Sequence, residues 1–237
     1  MNDMLQFKKI LILIFLVFLA STIVAQEIET KDFKIGISGG VALFFEGDLQ
    51  KINNELIRTS PLNLEIINDF PPYFTYGGYA LSKMGNRLAI GPGYNFYTTG
   101  SRIGGKDYSG QYSFDQVISA HSLGIQIELL ISEKEKSKIF FESIAGANFA
   151  SWKMIEDLEI GEESQKDETS LKAVKPFVYP GFKFSWNINQ SIGIFLKGGV
   201  SIDIFGKFHL EGHPEAKSDT RANFSGPRIN IGIEYGY

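Results

Sequence analysis

Three groups of residues in this 237-residue chain have types and spacings that invite chemistry. The largest is a mixed-sign set, Arg87, Glu128, Glu142, Lys183, Lys197 and Glu234, each on one parity of a segment whose other parity is apolar. Gathered in a narrow interior, such charges either pair into a structural plug, since an unpaired buried charge costs several kcal/mol, or line a gated path for protons or ions. The second group is Ser119 and His121, a hydroxyl with a possible base two residues away, which is the start of an acyl-transfer site. Its third member is missing, because Glu142 lies on the opposite parity and toward the other end of its segment.

The third group is the run HLEGHPE, where His209, Glu211, His213 and Glu215 have spacings that suit zinc or copper. Gly212 and Pro214 oppose the helix that would bring i and i+4 ligands together. An acidic stretch with Glu156, Asp157, Glu159, Glu162, Glu163, Asp167 and Glu168 lacks the Asp-x-Asp-x-Asp-Gly order of a calcium loop and reads as a solvated loop. No catalytic residue, no cofactor and no metal site is expected, and the inward charges are expected to form a lumen network.

What would position those charges is a period of two. Eight segments, 33–45, 73–82, 87–98, 117–131, 139–152, 174–187, 191–205 and 224–237, sort apolar residues onto alternate positions. The apolar rows include Ile35, Ile37, Leu88, Ile90, Ile125, Ile127, Phe182, Phe184, Trp186, Ile192, Ile194, Ile229, Ile231 and Ile233, and none contains a carboxylate, Lys or Arg. The opposite rows add Lys34, Lys175, Asp203 and Arg228 to the six charges above. In 73–82 both parities compete for the outer face, and prolines 92, 176 and 180 suggest local bulges.

The connections alternate in length. Residues 46–72, 99–116, 153–173 and 206–223 are long, whereas 83–86, 132–138 and 187–191 are short. Four long and three short connections between eight strands match a bacterial barrel with extracellular loops and periplasmic turns. The expectation is an all-β, eight-stranded, antiparallel, up-and-down transmembrane β-barrel, with those rows facing lipid. A soluble lipocalin-like binding barrel inverts the two faces and is the alternative that parity alone leaves open.

Lys8 and Lys9 precede an apolar run from Ile10 to Leu19, and small residues end at Ala25. This has the form of a secretory signal peptide, so residues 1–25 are expected to be removed and residues 26–237 to form the barrel domain. With no Cys, lipoprotein attachment and disulfides are excluded. The formal charge of −4 argues against nucleic acid as a partner. The expected location is the bacterial outer membrane, reached by export, with outer-membrane lipid as the surrounding partner.

The leader ending in Ala-Gln, the strand FKIGISGGVALFF, the hairpin GGYALSKMGNRLAIGPGYNFY, the segment HSLGIQIELLI and the terminal RINIGIEYGY resemble the PorT-like outer-membrane β-barrel families of diderm bacteria. The resemblance implies fold and location, spans most of the exported chain, and carries no site. Glu128-Leu129 stands where the family pattern leads one to expect a proline. Tyr235 and Tyr237 close a strand that looks like the terminal signal read by the barrel-assembly machinery, a second expected partner. An extracellular or periplasmic partner for the loops is expected but not identified, and the roles in view are structural or surface interaction, a narrow channel, or envelope assembly and secretion. If the leader reading holds, sequencing the protein from an outer-membrane fraction should begin at Gln26; an intact Met1 there would refute it.

Overall fold

The computed structural model describes residues 33–236, apart from 61, 107, 109, 205, 219, 221, 222 and the side chains of 213–217. The expected leader and Tyr237 fall outside these residues. The elements are β1 (Phe33–Ala42), α1 (Gly47–Thr59), β2 (Glu65–Asp69), β3 (Tyr73–Met84), β4 (Leu88–Lys106), β5 (Gly110–Glu133), β6 (Ser137–Ile160), β7 (Glu163–Asn187), β8 (Ile192–Asp203), β9 (His209–Leu210), β10 (His213–Lys217) and β11 (Gly226–Gly236). Eight strands form a closed antiparallel ring in the order β1, β3, β4, β5, β6, β7, β8, β11 and back to β1. Closure leaves none of these eight strands with an open edge, which is what a sheet needs if it is to sit in hydrocarbon.

The ring is strongly slanted. Following paired residues from Leu43 through Pro227 on β11, across β8 to Pro180, then Ser143, Ile127, Ile90 and Ser82 returns to β1 at Phe33, ten residues from the start. Eight strands at such a stagger enclose a bore only wide enough for side chains to fill it. The apolar rows face out. Ile35, Ile37, Leu88, Ile125, Ile127, Phe182, Phe184, Trp186, Ile192, Ile194, Ile229, Ile231 and Ile233 are all exposed, and Ile90 is half-buried on the same face. On β3 the competition is settled by Phe74 and Tyr76 pointing outward while Thr75, Tyr79 and Leu81 point in. Oil outside and charge inside reverse the lipocalin arrangement, so the soluble-binder alternative fails.

The height of the band can be read from the register. Phe96, His121, Phe149 and Val174 lie in one outward row, and the next row up is Thr98, Ser119, Ser151 and Lys172. Eight residues lower the row is Leu88, Leu129, Phe141 and Phe182. At ~3.3 Å per residue and a tilt of ~40°, that span is about 20 Å, and one further row of Ile131, Ile139 and Phe184 brings it near the ~25 Å of an outer-membrane apolar band.

Two of the four expected long loops are absent as loops. Most of 99–116 and 153–173 continues the strands, with β4 running to Lys106 and β5 starting at Gly110, while β6 and β7 meet across Gly161 and Glu162, where Gly161 has a φ of 62°. Above the lipid border the outward face meets water instead of hydrocarbon, so its residues become polar and the apolar alternation that marks a membrane strand disappears. The result is a sheet of four strands that rises about eight residues, or ~25 Å along the strand, beyond the lipid band. It gains a fifth strand where β2 pairs with β4 above β3, the two being separated by Phe70 (φ 46°), Pro71 and Pro72. On the far side, β9 pairs with β7, and β10 with β9.

The first connection also holds α1, read in the sequence only as loop. Its apolar residues Leu49, Ile52, Leu56 and Ile57 recur at helical spacing and face the inner side of the raised sheet. Asn53 lies on the same face, fully buried, and donates to Asp69 Oδ1 (3.0 Å) while its Oδ1 accepts from Gln116 Nε2 (2.6 Å).

The prolines do not sit in bulges. The β3–β4 and β7–β8 ladders each skip the step at Pro92 and Pro180 and resume in unchanged register, so the missing N–H costs a bond but not alignment. The shifts in register lie elsewhere, near Leu130 to Ser132, Ile66 to Asn68 and His213 to Lys217.

Ile125 pairs with Pro92 and Ala145 halfway up the band, whereas Ile194 pairs with Trp186 near its lower border. Replacing Ile125 with Arg should therefore destabilise the barrel by about 2–4 kcal/mol, and the same change at Ile194 by about 0–1 kcal/mol. Reversible folding into lipid measures both, and a neutral Ile125→Arg would mean that the faces are reversed.

Candidate functional site

The bore is the part of this protein where charged side chains converge, and the register explains how. Glu128 on β5 is directly opposite Glu142 on β6, and Lys183 on β7 is directly opposite Lys197 on β8. Like charges on neighbouring strands repel, so each pair must find its partners across the bore. Lys183 reaches Glu128 Oε1 and lies 3.0 Å from Glu234 Oε2. Lys197 lies 3.7 Å from Glu142.

Around these pairs the remaining hydrogen-bonding capacity is largely used. Tyr79 Oη donates to Glu234 Oε2 at 2.5 Å, Ser185 donates to Glu234 Oε1, and Gln126 Nε2 donates to Glu128 Oε1 at 3.1 Å. Phe140 lies 4.7 Å beneath the Lys183 ammonium and 4.5 Å beneath that of Lys34, adding cation–π attraction where water is excluded.

Five of the six expected lumen residues, Glu128, Glu142, Lys183, Lys197 and Glu234, are buried in the bore. Arg87 is not among them. It is exposed in the turn between β3 and β4, below the strand that was expected to carry it inward. In its place stands Lys34, whose ammonium lies 2.6 Å from Glu128 Oε2 and 3.7 Å from Glu234. Its inward parity was legible, but its depth was not, because β1 has no preceding turn from which to count.

Above this network the bore changes character. Tyr97 Oη donates to Asn148 Oδ1 at 2.6 Å, Asn148 Nδ2 donates to Asp203 Oδ1 at 2.7 Å, and Arg228 lies 4.0 Å over the Tyr97 ring. Higher still, Phe44, Leu49, Trp152, Phe208 and Phe224 pack into an apolar cluster contributed by both the barrel and its extracellular connections. Lys175 sits 5.1 Å from the Phe208 ring and 5.7 Å from that of Phe224. The bore is thus stopped twice, by a salt-bridge network below and an aromatic plug above.

Among the described residues neither of the other two chemical candidates is assembled. His121 faces outward in the upper aromatic row, with Nδ1 2.9 Å from Tyr94 Oη and its ring 4.9 Å from that of Phe96, while Glu142 is inside the barrel. His209 and Glu211 flank the β9–β10 turn, and Glu211 is engaged by Lys172; the side chains of His213 and Glu215 lie outside the described residues. The acidic stretch is the β6–β7 hairpin, in which Lys153 pairs with Glu168 at 2.8 Å and Glu156 accepts from Tyr112 at 2.9 Å. Tyr235 is exposed on the last strand, paired with Ile35 and Ile192, at the periplasmic border.

A closed antiparallel ring with an apolar belt of membrane height, a charged interior and strands raised on one side is an outer-membrane β-barrel, and a barrel so built resides in the bacterial outer membrane. No family model matches the chain. No curated protein is similar to it. Among solved structures it is similar to Ail, the attachment invasion locus protein of Yersinia pestis, at 13% identity, covering 86% of this chain and 98% of that one with a TM-score of 0.36. It is also similar to Neisserial surface protein A, at 8% identity over 86% and 96% with a TM-score of 0.42, and to CarO of Acinetobacter baumannii, at 13% over 68% and 92% with a TM-score of 0.36.

Lys183→Met should leave Glu128 and Glu234 short of a cation and cost about 3–5 kcal/mol, whereas Lys183→Met combined with Glu128→Gln should cost less than the sum of the two single changes. Urea titration of the barrel refolded in lipid measures this coupling. Strictly additive costs would mean that the network does not act as a unit.

Proposed function

We propose that this protein is a non-enzymatic outer-membrane barrel that holds a stiff extracellular sheet in position to meet a partner, with a bore that does not conduct. The observation that carries this reading is the continuation of β4 to β7 past the lipid border as hydrogen-bonded strands, backed by α1. Mobile loops can adapt to many partners, but a paired sheet fixes its outward side chains in space before any contact is made. Its outer face is polar and internally paired, as in the bidentate Arg102–Asp115 contact, with a shorter bond of 2.5 Å. The sequence patterns of β1, β3 to β5 and β11 support membership of the PorT-like families. The alternating, aromatic-ended last strand supports recognition by the barrel-assembly machinery through Tyr235 and Tyr237.

Two measurements test the reading. A photo-reactive residue placed on the outward face of the raised sheet, at Ser113 or Lys166, should give a discrete adduct with a non-lipid partner on intact cells. The same residue at Ile125 should give lipid adducts only. Lipid adducts from all three positions would refute the surface role. The purified barrel should show no steady conductance in planar bilayers, and a steady current would replace this function with that of a narrow channel.

A further inference from the structure

Within the lipid band an outward apolar side chain has hydrocarbon to meet. At the crest of the raised sheet it has none, yet Leu62, Ile67 and Ile160 are 41%, 66% and 56% exposed there, well above the upper lipid row of Phe96, His121 and Phe149. Single exposed apolar residues are ordinary on a surface that faces water, whereas a group of them around one depression marks a contact.

The register shows how the depression arises. On the inner face of the sheet Gly105 pairs with Tyr112 and Gly110 with Ile160, so two neighbouring inner positions at the crest carry no side chain. Helix α1 covers that face only as far as Leu56 and Ile57, which pack against the cluster of Leu64, Ile103 and Tyr112, and it ends at Thr59. Beyond this cover lies an open cleft of about 90 Å3 between Leu62, Tyr112, Leu158 and Ile160, which is room for one aliphatic side chain. Over the rim, Asn63, Lys106 and Gln111 carry the cleft into a wider groove of about 640 Å3 that reaches Glu65, Ile67 and Ser113 on the outward face. The walls are set in advance: Leu62 N–H donates to Ser60 Oγ at 3.1 Å, Leu62 O accepts from Leu64 N–H at 3.0 Å, and strand pairing fixes Ile160 between Gly110 and Glu163. A pocket placed beforehand and ringed by polar groups is what an anchor residue of a binding partner needs.

The charges round the crest say what should flank that anchor. Arg102 is taken up by Asp115, and Asp157 has Lys166 opposite it on β7. This leaves Glu65 and Glu159 on the rim, with Glu162 and Glu163 in and beside the β6–β7 turn, against Lys106. The crest is therefore acidic as well as apolar, and a partner that buries the cleft must bring positive charge to its edge.

We propose that the crest of the raised sheet docks a protein segment that inserts one aliphatic side chain between Leu62 and Ile160 and carries Lys or Arg on either side of it. The inference rests on the reading of the raised sheet as a presenting surface and names the chemistry which that surface takes. A second copy of the crest, an anionic lipid surface or a nucleic acid would each bring negative charge to negative charge.

The test titrates dye-labelled peptides into the full barrel in an uncharged detergent, with empty micelles as the blank. A peptide Gly-Arg-Lys-Leu-Lys-Arg-Gly should bind about tenfold or more tightly than the same peptide with Ser for Leu, and more tightly than one with Glu for each Lys and Arg. Added salt should weaken it. Leu62→Ser with Ile160→Ser, both at positions that face water, should leave the melting temperature unchanged and abolish the preference for Leu over Ser. If that pair fails to fold, Glu159→Lys with Glu163→Lys decides, and should turn the preference toward the Glu-flanked peptide. Equal binding of the Leu and Ser peptides, no binding of any peptide, or a Leu preference that survives the Ser pair would each overturn the assignment. On intact cells a photo-reactive residue at Ile160 should give a discrete non-lipid adduct that the Leu peptide displaces. An adduct at Lys166 but not at Ile160, or one at Ile160 that the peptide leaves in place, overturns the crest site and spares the presenting role of the sheet; non-lipid adducts at neither position overturn both.

Discussion

In hydrocarbon a sheet edge has nothing to bond to, so the pairing of β1 with β11 is the contact on which the rest of the molecule depends. Once those strands meet, strand number and stagger are set, and with them the width of the bore. That width is what gives the inward charges their arrangement. In a wide pore Glu128 and Glu142, or Lys183 and Lys197, would be solvated side by side; in a bore filled by side chains they have no water to turn to and must reach across it. The network is a consequence of closure, and it also checks closure. Lys34 comes from the first strand of the ring and Glu234 from the last, and Lys183 and Glu128 join them from the opposite wall. A slip of one residue between β1 and β11 would turn Lys34 or Glu234 outward into lipid.

Buried ion pairs are weak evidence for stability, because desolvation takes back much of what attraction gives. Here their value is better placed in specificity. Apolar packing alone would fill this bore equally well in several registers, whereas three ammonium groups and three carboxylates satisfy one another in few. The aromatic rings of Phe140, Tyr79 and Phe195 around Lys183 reinforce that choice, since they accept a cation at 4.7, 5.0 and 5.4 Å but give a carboxylate nothing.

How far the sequence carried depended on what each residue faces. Along the lipid band, alternation between hydrocarbon and interior is so sharp that the eight strands and their outward rows were legible from Ile35 to Ile233. Above the band both faces of a strand meet polar surroundings or a helix. Residues such as Ser101 to Lys106 and Glu156 to Ile160 then read as loop, although backbone pairing continues unbroken. Helix α1 was missed for a related reason. Its apolar positions Leu49, Ile52, Leu56 and Ile57 are few, and they sit among polar residues in a stretch already read as a connection. Lumen membership was legible by parity and failed on depth: Arg87 was counted in when it belongs to the turn, and Lys34 was left out of the network because the stagger that lowers it to the level of Glu128 is a property of the closed ring and of no single strand.

The raised sheet and the filled bore are two results of one arrangement. The raised strands present Ile103, Tyr112, Trp152 and Leu158 on their inner side, a surface that water would not tolerate uncovered. Helix α1 covers it, and because α1 enters from the end of β1 it can do so only by lying over the mouth of the barrel, where Leu49 joins Phe208 and Phe224 in the plug. Asn53 then ties the helix to Gln116 of β5 and to Asp69 of β2. Lifting the plug to open the bore would strip the sheet of its support, and loosening the sheet would free the plug. Opening this mouth and keeping the raised strands backed are thus competing demands, and that competition is what supports the proposed presentation role over passage.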